Sequence, residues 1–76
     1  MTWQERIVLD PAILAGKPTI KGTRISVEFV LDLLARGWKY EEVLREYDHI
    51  SAEDVQACLA YAHEALQSER VYPTPS

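Results

Sequence analysis

A helical pattern running from Ser26 to about Leu66 constrains this chain more than any other feature. Ser26 reads as an N-cap, because a serine hydroxyl can accept an otherwise unpaired backbone N–H. Val27, Val30, Leu31 and Leu34 follow at i, i+3, i+4 and i+7, which is one face of an α-helix. Gly37 after Arg36 suits the left-handed position just past a helix end, and Arg36 complements the negative end of the helix dipole. A second, short helix is expected from about Glu41 to Tyr47. Glu41 and Glu42 sit in its acid-favouring first turn, and Val43, Leu44 and Tyr47 lie on its buried side. Trp38 and Tyr40 precede it and should pack on that side, and Asp48, His49 and Ile50 form the next turn. The third helix starts at Ser51. With Asp54 three residues on, this is close to a capping box. Val55, Leu59, Ala62 and Leu66 supply its apolar face, and it should run to Gln67 or Ser68.

A short helix, a turn of three or four residues and a longer capped helix match the helix-turn-helix plan, with the first helix completing a tri-helical core. Periodicity alone leaves other three-helix arrangements open. The first helix has more apolar surface than one face requires, since Phe29, Leu33 and Ala35 leave only a Glu28, Asp32 and Arg36 stripe polar. Phe29 and Leu33 either lie under the N-terminal segment or meet a second subunit or another protein.

Length sharpens that choice. The 76 residues make one domain, assigned here to 1–70 with a tail at 71–76, and a chain this short buries only about 60% of its unfolded surface. One cysteine allows no intrachain disulfide, and small unstapled chains often gain stability by oligomerising, so a homodimer is expected. No apolar run approaches the ~18 residues of a membrane span, and the first residues lack a basic-then-apolar leader pattern, so the expected location is the cytoplasm.

Before the helices the chain reads as extended. Ile7, Val8 and Leu9 form a β-prone run suited to an edge or intersubunit strand. Asp10 and Pro11 read as N-cap and first helical residue of a single turn over Ala12 to Ala15, ended by Gly16. Lys17 to Ile25 reads as a hairpin turning at Lys21 and Gly22, with Ile20 and Ile25 inward and Lys21, Thr23 and Arg24 outward. Beyond Leu66, Pro73 and Pro75 stop any helix. Val71 and Tyr72 belong either to a frayed end whose Tyr72 folds back on the core or to a peptide that docks on a partner.

The net charge of −4 is unevenly placed. Residues 11–27 hold Lys17, Lys21 and Arg24 and no acid, whereas no Lys or Arg lies between Glu46 and Glu69. A helix-turn-helix protein places the start of its last helix on base edges. Here that start is Ser51, Ala52, Glu53 and Gln56, of which only Gln56 is a natural base reader, for adenine. Lys and Arg on phosphates dominate affinity for DNA, and this helix offers none in that stretch. Any nucleic-acid contact therefore falls to Lys17, Lys21 and Arg24, with Lys39, Arg45 and Gln56 assisting, unless the hairpin is simply solvated. Cys58 and His63 lie about 140° apart around one helix and do not converge. Cys58 neighbours the apolar stripe as a small core residue, and His49 sits in a turn. With no acid dyad and no Gly-rich phosphate loop, the expectation is a protein that is not an enzyme and holds no cofactor or metal.

Three segments, residues 16–27 (Gly-Lys-Pro-Thr-Ile-Lys-Gly-Thr-Arg-Ile-Ser-Val), 37–44 and 51–55, resemble in order and spacing the bacterial family called domain of unknown function 433. The resemblance covers roughly Ile7 to Ala65. It implies a small helix-turn-helix protein of homeodomain-like type, mainly α with a short N-terminal strand or hairpin. It also implies an antitoxin of a type II toxin–antitoxin pair, encoded beside a PIN-like nuclease toxin that it binds and silences, and able to bind its own operator. Tyr40 stands where a Ser or Thr N-cap is expected, and Asp48 where a proline is common. On this reading Phe29, Leu33, Arg70, Val71 and Tyr72 are the candidate contacts to the partner, and the acidic C-terminal half suits a basic toxin.

Overall fold

The computed structural model describes residues 2–69, with side chains to residue 67. Two short strands, β1 (Ile7–Val8) and β2 (Thr19–Ile20), precede three helices: α1 (Val27–Ala35), α2 (Tyr40–Glu46) and α3 (Ala52–Glu69). The chain is mainly helical, and its last two helices follow the expected short helix, turn, longer helix order. Each element contributes to one core. Ile20 of β2, Val30 of α1, Val43 of α2 and Val55 of α3 are essentially sealed from solvent and belong to one cluster with Ile7, Val27, Leu33, Ile50, Ala57 and Cys58. Each such valine or isoleucine contributes about 2 kcal/mol through burial.

The helix ends follow from side-chain chemistry. The Ser26 hydroxyl accepts from the Phe29 N–H at 3.0 Å and opens α1. At its other end Gly37, at φ 96°, lets its N–H reach the Leu34 carbonyl and the Trp38 N–H reach that of Leu33. That pair of bonds is a Schellman closure. The N-cap of α2 is Lys39 and not Tyr40, so the helix begins one residue earlier than expected. Glu42 accepts from the Lys39 backbone N–H at 2.8 Å, and the lysine side chain, having no acceptor, cannot return the bond. The capping box of α3 is complete: the Ser51 N–H donates to Asp54 Oδ2 at 2.9 Å and the Asp54 N–H to Ser51 Oγ at 3.2 Å.

The strand at Ile7–Val8 pairs within the chain, antiparallel to β2, with Ile7 opposite Ile20 and Val8 opposite Thr19. A bridge between Thr19 and Ser26 adds chain to the other side of β2. Between them the Ile20 carbonyl accepts from the Thr23 N–H at 3.0 Å, with Gly22 at φ 81° as that turn requires. The Thr23 hydroxyl then donates to the Ile20 carbonyl and accepts from the Ile25 N–H, so it staples the turn and does not face outward freely.

The loop after β1 departs from the expected right-handed turn over Ala12 to Ala15. Asp10 caps only a local turn, accepting from Ala12 N–H through its carboxylate and from Ile13 N–H through its carbonyl. Leu14 and Ala15 then take positive φ, 49° and 56°. One turn of right-handed helix would have left several carbonyls unpaired, whereas this arrangement returns Gly16 N–H to Ile13 and Lys17 N–H to Leu14.

The N-terminal residues are fixed to α3. The Trp3 ring meets Tyr61 edge-on at 4.9 Å and its indole N–H donates to Glu64. Arg6 places its guanidinium 3.1 Å from Asp54 Oδ1. The α3 helix extends to Glu69, slightly past its expected end, and Leu66, expected on the apolar face, is 61% exposed. The core-facing positions are Val55, Ala57 and Cys58.

Two sets of substitutions test these assignments. Arg6→Ala costs on the order of 1 kcal/mol and Asp54→Ala about 2 kcal/mol, because the latter also removes a cap. The double variant in urea titrations should match Asp54→Ala within about 0.5 kcal/mol, and full additivity would show that the pair is not coupled. Gly22→Ala, with open space around the added methyl, costs about 1 kcal/mol through the backbone alone. Ala15→Gly should leave the melting temperature unchanged or raise it, because it relieves the same conformation.

Candidate functional site

Among the described residues, two depressions flank the start of α1, with Lys17 and Ser26 bordering both. The first is a groove of about 470 Å³ between α1 and the far half of α3. Pro18, Val27 and Leu31 form one wall, and Tyr61, Ala62, Ala65 and the exposed Leu66 form the other. Its chemistry is apolar, with Lys17 and Glu28 at the rim, 3.3 Å apart and both exposed.

The second is a cleft of about 390 Å³ between the hairpin, α1 and the end of α2. Leu14, Ile25, Phe29 and Tyr47 line it, together with Lys17 and Arg24. Phe29 is 39% exposed and meets Tyr47 edge to face at 5.4 Å. Lys17, Arg24 and Phe29, singled out in the sequence for different reasons, therefore meet at one place.

The other expected site residues disperse. The hairpin turn separates Lys21 from Arg24: Lys21 borders Glu5, Arg6 and Asp54 at the start of α3. Lys39, Arg45 and Gln56 are exposed and border neither depression. Leu33 is corrected from a partner contact to a core residue, only 7% exposed, because the buried face of α1 runs through Val27, Val30 and Leu33, with Leu31 and Leu34 at its edge. Arg70, Val71 and Tyr72 lie outside the described residues.

Charge at the start of α3 also differs from the sequence picture. Asp54 is not a bare acid: Arg6 covers it, and only Glu53 of the first-turn acids is fully exposed. Arg6 was missed because its partner is 48 residues away, with no local pattern to reveal the pairing. Leu14 and Tyr47 were missed as cleft residues for the same reason. Among the described residues, Lys21, Arg24, Lys39 and Arg45 form no ion pair, whereas Arg6, Lys17 and Arg36 do.

Cys58 is fully enclosed, and burial, with a further contribution from the Asp54 charge, pushes its thiol up to about 12. A protonated, enclosed thiol is a packing group and not a nucleophile at neutral pH. Among the described residues no three His, Cys, Asp or Glu side chains are placed to hold a metal ion, and no helix is long and apolar enough to cross a membrane.

The geometry can be set beside known proteins. A solved structure of a DUF433 member protein from Anabaena variabilis ATCC 29413 superposes with a TM-score of 0.79 at 28% identity, over 86% of this chain and 64% of that one. The uncharacterized protein y4eO of Sinorhizobium fredii (strain NBRC 101917 / NGR234) is 32% identical over 59 residues, which are 78% of this chain and 27% of that protein. This chain thus spans about a quarter of that relative and under two thirds of the solved one. The sequence model described as "Protein of unknown function (DUF433)" matches residues 7–62, the stretch from β1 into α3, and the chain belongs to that family.

Proposed function

We propose that this chain is the antitoxin of a type II toxin–antitoxin pair, a cytoplasmic, homodimeric protein that binds and neutralises a PIN-like ribonuclease toxin. The observation that carries the protein-binding part is the apolar groove between α1 and α3, with Leu66 left 61% exposed beside Ala62 and Ala65. An apolar groove rimmed by polar residues supports a protein-binding reading. The toxin itself comes from the resemblance carried by residues 16–27, 37–44 and 51–55. The acids of α2 and α3 favour a basic partner by steering encounter, and no catalytic role is assigned to them. Phe29 and residues 70–72 remain candidate contacts in the assembly.

A second reading, a DNA-binding and autoregulatory protein, is favoured by one observation. Lys21 and Arg24 are exposed on either side of the hairpin turn and make no ion pair among the described residues, so both are available to phosphates. On α3 itself Gln56 is exposed, but Glu53 faces outward close by.

Co-expression with the product of the adjacent reading frame should give a complex that survives sizing and has lost ribonuclease activity. Failure to co-purify, with the nuclease still active, would sink the antitoxin reading. Removing residues 71–76 should weaken that complex, and equal affinity would exclude the tail as a contact. For the second reading, Lys21→Ala combined with Arg24→Ala should weaken operator retardation in gel-shift titrations at fixed salt and, across a salt series, lower the slope by about 2 per protomer. Unchanged retardation would exclude this pair.

A further inference from the structure

We propose that the cleft formed by Leu14, Phe29, Tyr47 and Arg24 docks an acidic peptide segment, one carboxylate side chain next to a bulky apolar one. This goes beyond the antitoxin reading and does not depend on it.

The floor is apolar and shaped. Phe29 stands edge-on to Tyr47 at 87°, so its ring is held in place while 39% of the residue stays exposed. A ring fixed in that way offers contact area with little side-chain freedom left to lose. Arg24 borders the same cleft, exposed and without an ion pair among the described residues. Lys17, which also borders the cleft, pairs with Glu28, and both groups are largely in solvent. Such a pair is worth so little that an incoming carboxylate can replace Glu28.

Leu14 enters the cleft from the left-handed turn of the loop after β1, φ 49°, whose backbone is closed by the Gly16 and Lys17 N–H groups. The alternative chemistry is a single-stranded nucleic acid, with bases on the rings and phosphates on the cations. It is disfavoured by number: one free cation and one shared cation at the cleft suit one or two carboxylates and not a run of phosphates.

Selection of a random-sequence peptide display library on the immobilised full chain tests this. The enriched peptides should pair Asp or Glu with a neighbouring Leu, Phe or Trp. A labelled synthetic copy followed by fluorescence anisotropy should bind Arg24→Glu about tenfold more weakly and lose further affinity in Phe29→Ala. Arg36→Glu, an equal charge change at the far end of α1 and away from the cleft, should bind as the parent does. All three positions are exposed, and circular dichroism checks that each variant is folded. No enrichment, enrichment of peptides without acids, or equal binding by Arg24→Glu overturns the proposal. Tighter binding of a single-stranded oligothymidylate than of the selected peptide, lost in the same Arg24→Glu variant, also overturns it and assigns the cleft to nucleic acid.

Discussion

One carboxylate joins the two halves of this molecule. Asp54 Oδ2 accepts from the Ser51 N–H and fixes where α3 begins, while Oδ1 receives the Arg6 guanidinium and fixes where the N-terminal segment lies. Because Arg6 immediately precedes β1, that contact also sets the position of β1, and through it of β2 and the hairpin. The Lys21 N–H donates to the Arg6 carbonyl at 2.8 Å, so the same residue ties strand pairing to the helix. The side chain of Asp54 is 15% exposed, which shields this charge pair from water more than an ordinary surface pair. A chain with no disulfide and a core built largely of valines and isoleucines needs such a cross-link, because burial alone leaves a domain of this size marginal.

What could be read from the sequence was what is encoded within one turn of chain. Ser26, Ser51 with Asp54, and Gly37 mark helix ends by chemistry acting over three or four residues, and each does so in the fold. Gly22 marks the hairpin turn in the same way. Two local signals misled. Asp10-Pro11 looks like a helix start, but the loop between β1 and β2 reverses through left-handed Leu14 and Ala15 and closes with the Gly16 and Lys17 N–H groups on the Ile13 and Leu14 carbonyls. On α1, periodicity placed Leu31 and Leu34 on the buried face and Leu33 outside it, a weak choice because apolar residues occupy nearly the whole circumference. Packing chose Leu33 for the core, with the other two at its edge.

The site was less legible because it is made by convergence. Leu14, Arg24, Phe29 and Tyr47 come from a loop, a turn, a helix and a helix end. Nothing in their spacing joins them. The basic residues show the opposite effect: Lys21 and Arg24 look like one patch in sequence, yet the tight turn that places them both on the surface also separates them. Composition reported that the hairpin is basic and α3 acidic. It could not report that Arg6 neutralises Asp54 in the first turn of α3.

Lys17 and Ser26 give the two depressions a common wall, and this bears on how the surface can be used. Ser26 is committed, since its hydroxyl caps α1 and its backbone bridges Thr19. Lys17 is not, because its contact with Glu28 is exposed and weak. A carboxylate entering the Phe29 cleft draws Lys17 to one side, whereas an apolar chain in the α1–α3 groove gains nothing from it beyond its methylene stem. On the two proposals, the groove contact rests on shape and apolar area and the cleft contact on charge and aromatic area, with one capped helix start standing between them.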